Sequence, residues 1–350
     1  MITNLHHLKN TTMSDQDALS NPIHTTDPYN FFDIIRHPDG TFTRKPSRFT
    51  IRPTTQDLSY SIPVLSKDVV INQSKNTWAR LFLPRQALDS SSAAANAPVL
   101  LPLIVYYPGG GLVLSTTAAS VSHDFCVDIA LQLSVIVVSV DYRVAPENRL
   151  PAAYDDAIEA LHYIKTVKDD WLKKHADLTK CFLVGTSAGG TVAYHACLRA
   201  ATQVDDLKPL RINGLVLHYP FFSGAKRTES ELRAVNDPVL PLVVCDLAWE
   251  LCLPIGADRD HQYCNPMVGD VPELLEKVKL LGWKVMATSG DRDLSIDRLI
   301  ALTKLMDEKG IKVETHIGAG DHHGADIGDP SKLAHLLLAL KNFIFSTIVE

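Results

Sequence analysis

The sequence predicts an α/β architecture, a mostly parallel central sheet covered by helices on both faces, and two patterns predict it. From Val99 onward short, continuous apolar runs recur at Leu103 to Tyr107, Val135 to Val140, Cys181 to Val184, Gly214 to Leu217 and Lys284 to Thr288. A strand with no polar alternation has both faces buried, as in a parallel sheet between helical layers. Helix-compatible stretches fall between these runs, at His123 to Leu133, Ala152 to Val167, Gly189 to Ala201, Ile296 to Lys309 and Lys332 to Phe345. The alternation of the two patterns is the signature of repeated βαβ units.

The flanking segments break this rhythm. Val69 to Leu83 alternates as a strand pair would, and the Ala/Ser/Asn-rich run Ala87 to Ala97 reads as a surface loop. Residues 1–65 are polar and rich in Thr, Pro and Asp, with a short apolar, helix-compatible patch at Tyr29 to Ile35, so they are expected to form an arm that contributes to a cap. Residues 66–350 then form the main domain. Within it about 220–267 departs from the βαβ pattern, with a helix-like stretch at Leu242 to Leu253, and reads as a cap insertion.

Composition limits the function. The 350 residues are 46% hydrophobic and 21% charged, which suits a folded protein with a sizeable core. A formal net charge of −6 and the lack of a dense Lys/Arg block argue against a nucleic-acid partner. The six cysteines, Cys126, Cys181, Cys197, Cys245, Cys252 and Cys264, form no CxxC pair or metal-ligand spacing and are expected to be reduced and buried. The first residues hold no apolar run of signal-peptide length, so a cytoplasmic protein without membrane insertion is expected, starting at Met1 or Met13.

The strongest local signal is Gly185-Thr186-Ser187-Ala188-Gly189-Gly190, which follows an apolar strand and opens a helix. This G-x-S-x-G pattern in a strand–turn–helix setting is a nucleophile elbow, and it narrows the architecture to the α/β-hydrolase fold. Its glycines allow the tight turn that exposes the Ser187 hydroxyl, and the Ala188 amide at the helix start can donate to an oxyanion. Upstream, the strand Leu103 to Tyr107 runs into Pro108-Gly109-Gly110-Gly111. A glycine loop at that position supplies the remaining oxyanion donors, here the Gly109 and Gly110 amides.

A serine nucleophile needs a base, and in this fold the chain order is Ser, then Asp or Glu, then His. Asp291 and Asp293 follow the strand Lys284 to Thr288, while His322 and His323 follow a β-like run at Lys312 to Ile317. Spacing alone does not choose within either pair.

With these motifs in place the chain resembles the plant carboxylesterases of the hormone-sensitive-lipase group, from about Asp68 to the C-terminus. The stretches that carry the resemblance are Asp141-Tyr142-Arg143-Val144-Ala145-Pro146-Glu147, Leu150 to Asp156, the elbow, Gly256 to His261 and Cys264-Asn265-Pro266. The resemblance implies that the acid is Asp293 and the base His323, with His322 in reserve. It implies hydrolysis of small-molecule carboxylic esters through an acyl-enzyme, by a monomer or homodimer that needs no metal or organic cofactor. The group's loop reads His-Gly-Gly-Gly, and this chain has Pro108 in place of the histidine. Since relatives of the group include gibberellin receptors and alkaloid cyclases, a lyase, cyclase or receptor is the alternative reading.

Overall fold

The computed structural model describes residues 27–45, 50–54, 62–88, 100–114 and 117–349. Eight strands form one sheet: β3 (Val64–Asn72), β4 (Thr77–Pro84), β5 (Leu101–Tyr107), β6 (Ile136–Asp141), β7 (Ala176–Thr186), β8 (Ile212–His218), β9 (Lys284–Gly290) and β10 (Val313–Gly318). Their spatial order is β3-β4-β6-β5-β7-β8-β9-β10; β4 pairs antiparallel with β3 and β6, and every other pairing is parallel.

The apolar runs split by residue parity into two cores. Leu103, Val105 and Tyr107 of β5, with Cys181 and Leu183 of β7, pack toward helices α2 (Ala152–Lys165) and α4 (Ala188–Ala200). Ile104 and Tyr106, with Phe182 and Val184, face α1 (Ser120–Leu133) and α9 (Pro330–Val349), where Cys126, Ile129, Leu336, Leu340 and Phe343 meet them. Successive strand side chains point to opposite faces, so a strand buried on both sides must be apolar at every position. The six cysteines are free and buried within these packed regions.

Helices α3 (Asp170–His175) and α7 (Val271–Leu280) complete the connections, and α8 (Ile296–Glu308) joins β9 to β10. The patterning missed α7, although Pro272 in its first turn and the buried face Val271, Leu275 and Val278 are ordinary helix signals. Most of the Ala87 to Ala97 run lies outside the described residues, as do residues 1–26.

The arm differs from the expected helical patch. Pro28–Phe32 is a 3-10 helix whose N-terminus is held by Asp27, which accepts from the Tyr29 amide at 3.1 Å. Asp33 at φ 49° ends it, and β1 (Ile34–Arg36) then pairs antiparallel with β2 (Phe42–Arg44). The β-branched Ile34 and Ile35 favour that strand over a continued helix.

In the insertion, α5 (Glu229–Arg233) is opened by a capping box between Thr228 and Glu231, and α6 (Leu242–Cys252) lies against the 3-10 helix of the arm. Trp249 of α6 stacks on Phe221 with ring centroids 5.1 Å apart. Buried Arg298 of α8 holds the insertion to the body through Glu231, at 2.7 Å.

Candidate active site

Ser187 stands between β7 and α4 at φ 53° and ψ −125°, a backbone conformation that costs a non-glycine residue about 1–3 kcal/mol. Its surroundings hold it there: the Ser187 amide donates to the His218 carbonyl at 2.8 Å. The elbow glycines are required by close approach. A Cβ on Gly185 would stand 2.0 Å from the Gly189 carbonyl oxygen, and one on Gly189 would stand 1.9 Å from that of Tyr107.

The loops after β9 and β10 bring two more groups to this turn. Ser187 Oγ lies 2.9 Å from His323 Nε2, and His323 Nδ1 lies 2.9 Å from Asp293 Oδ2. Asp293 is 1% exposed; Ser289 Oγ also donates to its Oδ2, and the Ser295 amide to its Oδ1. Burial pushes the Asp293 carboxyl up, but the charge of His323 and these hydrogen bonds hold it below the ordinary value. Burial works to lower the His323 pKa, and the adjacent Asp293 outweighs it, holding the imidazole above 6.5.

The neighbours left open by spacing stand elsewhere. Asp291 accepts from the Gly320 amide at 2.8 Å and so braces one loop against the other. His322 is exposed, with Nδ1 3.0 Å from the His323 carbonyl. Asp297 accepts from the Ser230 amide of α5 at 2.8 Å.

The glycine loop lies beside the serine. A Cβ on Gly109 would stand 3.1 Å from Ser187 Cβ, and Gly110, at φ 133°, has no room for one because it would fall 1.2 Å from the Leu114 carbonyl oxygen. Among the described residues, the amides of Gly109, Gly110 and Ala188 have no hydrogen-bond partner. They are donors available to a ligand.

Four residues that bear on this loop escaped the sequence reading. Buried Tyr142 donates from its hydroxyl to the Pro108 carbonyl at 2.5 Å. Arg44 of β2 donates to the Val113 carbonyl at 2.7 Å and pairs with Glu147. Phe32 of the arm covers Gly111, where a Cβ would meet its ring at 2.9 Å. Cys252 Sγ, at the end of α6, lies 3.6 Å from the Gly111 carbonyl. Tyr142 and Glu147 belong to the Asp141 to Glu147 stretch, so a signal for them was present without a role attached.

The same stretch has a structural half. Arg143 forks onto the buried carboxylate of Asp156, with its closest contact at 2.7 Å, which ties the Asp141 to Glu147 stretch to the Leu150 to Asp156 stretch. Asp260 accepts from the Ala225 amide and from Asn265, which stitches the two C-terminal stretches of the insertion together. Among the described residues, no group of three or more His, Cys, Asp and Glu side chains converges as metal ligands.

Comparison with known proteins identifies the family. Residues 104–326 match the family model described as the alpha/beta hydrolase fold. Carboxylesterase 20 of Arabidopsis thaliana is 49% identical over 330 residues, 94% of this chain and the whole of that protein. The 3-O-acetylpapaveroxine carboxylesterase CXE2 of Papaver somniferum is 43% identical over 91% of this chain and 99% of its own length. Among solved structures, a Pyrobaculum calidifontis esterase superposes with a TM-score of 0.67 over 81% of this chain and 86% of that one; at 23% identity this speaks for the fold alone. The carboxylesterases match at higher identity and over more of the chain than the gibberellin receptor GID1C of Arabidopsis thaliana, which is 33% identical over 67% of it, so the lyase, cyclase and receptor alternatives are not favoured. The chain belongs to the α/β-hydrolase family and, within it, to the plant carboxylesterases, and is a carboxylic ester hydrolase.

Proposed function

We propose that the chain hydrolyses small-molecule carboxylic esters by a serine mechanism in which Ser187 is the nucleophile, His323 the general base and acid, and Asp293 the group that orients it. The observation that carries this is the continuous hydrogen-bonded chain from Ser187 Oγ through His323 to Asp293, with both links at 2.9 Å. His323 Nε2 takes the hydroxyl proton as Oγ attacks the ester carbonyl, and Asp293 Oδ2 holds Nδ1–H and stabilises the imidazolium. The amides of Gly109, Gly110 and Ala188 receive the oxyanion. His323 returns the proton to the leaving alcohol, and a water activated by the same imidazole then releases the acid from Ser187.

Pro108 supports a modified loop rather than a lost one. The Tyr142 hydroxyl on its carbonyl, with Arg44 and Phe32 further along, supplies fixing contacts from outside the glycine segment. The Papaver somniferum relative is named for an acetyl ester, so acetyl esters of small plant metabolites are the substrates to try first. A cytoplasmic setting fits the six free, buried thiols.

The test is hydrolysis of p-nitrophenyl acetate and butyrate by the wild type, by Ser187→Ala and by a sample treated with an organophosphate. The expected result is turnover abolished by both treatments, with one phosphoryl adduct on Ser187 by mass spectrometry. Turnover that survives Ser187→Ala would overturn the mechanism.

A further inference from the structure

Directly after β8 the chain turns at Tyr219, whose φ of 48° lies in the left-handed region. A bulky side chain is rare there, and glycine would take the same conformation without strain. Yet the position carries a tyrosine that is 5% exposed. Strain of this kind persists only where the surroundings enforce it, and here three backbone bonds do. The Tyr219 amide donates to the Thr288 carbonyl of β9 at 2.8 Å. Residues before and after it bracket the nucleophile: the His218 carbonyl accepts from the Ser187 amide at 2.8 Å, and the Phe221 amide donates to the Ser187 carbonyl at 3.1 Å.

This turn delivers the tyrosine ring to His323. The two ring centroids lie 5.5 Å apart with planes at 57°, and the same tyrosine ring meets His218 at 4.4 Å. Its hydroxyl stands beside the loop that carries His323. Burial first, and then the charges of Asp326, Asp321 and Asp293, push its pKa up, while the Ala325 amide works against them. The phenol is therefore a neutral group packed on the imidazole, on a backbone that also fixes Ser187.

Such a support matters most at one stage of the reaction. In the free enzyme the imidazole is held at both nitrogens, by Asp293 Oδ2 and by Ser187 Oγ, each at 2.9 Å. Acylation turns Oγ into an ester oxygen without a proton, so Nε2 loses the serine hydroxyl and must meet a water instead. The ring is then tethered at Nδ1 and otherwise held by what packs against it.

We propose that Tyr219 is a positioning residue for deacylation, its ring keeping the His323 imidazole in place once the serine hydroxyl has been consumed; this rests on the serine mechanism proposed above. In that step a water oxygen adds to the acyl carbon as Nε2 takes its proton. The carbon–Oγ bond then breaks, Nε2 returns the proton to Oγ, and the acid leaves. A reacting group displaced by about 1 Å slows such a step by about a hundredfold.

The experiment is stopped-flow release of p-nitrophenol from p-nitrophenyl acetate, with mass spectrometry of the quenched protein. Tyr219→Gly removes the ring at a φ that suits glycine, and Tyr219→Asn, which also tolerates that φ, repeats the test if the first variant fails to fold. Both are expected to slow deacylation at least about tenfold and acylation less than about threefold, with a stoichiometric burst and acetyl accumulating on Ser187. Steady-state kcat then falls while kcat/KM stays within about threefold of wild type. Tyr219→Phe, which keeps the ring, is expected to restore deacylation to within about threefold of wild type. Equal slowing of both steps, unchanged deacylation in the variants without the ring, a loss as large in Tyr219→Phe, or loss of the fold in both Tyr219→Gly and Tyr219→Asn would overturn the proposal. Ser187→Ala tells its failure from that of the mechanism. Turnover retained in Ser187→Ala would sink both, whereas an inactive Ser187→Ala beside normal deacylation in Tyr219→Gly would sink the role of Tyr219 alone.

Discussion

Two histidine–aspartate pairs stand at the carboxyl end of the sheet, and only one is able to move a proton to or from Ser187. In the first, Asp293 occupies Nδ1 of His323, and Nε2 meets the serine hydroxyl at 2.9 Å. In the second, both ring nitrogens of His218 are engaged, Nδ1 with Thr288 Oγ1 at 2.6 Å and Nε2 with Asp326 at 3.3 Å. His218 reaches the serine only through its backbone, by accepting the Ser187 amide. The two residue types are the same in both pairs. What separates a base from a brace is whether the second nitrogen is left to face the hydroxyl.

The largest expected effect tests this directly. His323→Ala should lower kcat by about 10⁶-fold, as removal of a triad base does elsewhere. His218→Ala should lower it by about ten- to a hundredfold, through loosening of the Ser187 backbone, and should destabilise the fold by about 1–3 kcal/mol because Asp326 loses its partner. Esterase kinetics beside urea denaturation read both. Equal losses of kcat in the two variants would break the distinction.

A smaller effect separates the carboxylates. Asp293→Asn should lower kcat by about 10⁴-fold, since an amide cannot hold His323 in the tautomer that accepts the serine proton. Asp326→Asn should cost about tenfold or less in kcat. A loss at Asp326 as large as that at Asp293 would mean that the second pair acts on the reacting atoms.

This contrast also marks what the sequence could reveal. Parallel strands were legible because burial on both faces forces apolar residues at consecutive positions, and the elbow because close backbone approach forces glycine at 185 and 189. The positions of His322 and His323 differ by one residue in a loop, where no periodicity says which side chain turns inward, and only the resemblance to a family chose between them. His218 was invisible for a related reason. It ends an apolar strand and reads as a packing residue, while its partner Asp326 lies 108 positions away. The arm was misread because Asp33 in a left-handed conformation divides a short apolar patch into a 3-10 turn and a strand, which composition does not encode. Tyr142 shows the converse, a role that follows from a through-space contact to Pro108 and from nothing adjacent in the chain.

The finest discrimination between the two pairs lies in the acid limb of kcat/KM. In the proposed mechanism His323 accepts a proton only while neutral, so activity should fall as pH drops through its pKa, which Asp293 holds above the ordinary value against burial. Three carboxylates raise that pKa, Asp293 first and then Asp237 and Asp326, against burial, which lowers it. Replacing an anion by an amide removes one raising influence and leaves burial in place. The limb should therefore move toward lower pH in Asp293→Asn, on a plateau already reduced, and by less in Asp326→Asn, whose carboxylate acts on the imidazole through space without a hydrogen bond. Profiles of p-nitrophenyl acetate hydrolysis for the three proteins measure this. A limb unmoved in Asp293→Asn would assign it to a group other than His323, and a larger displacement in Asp326→Asn than in Asp293→Asn would reverse the order of the two pairs.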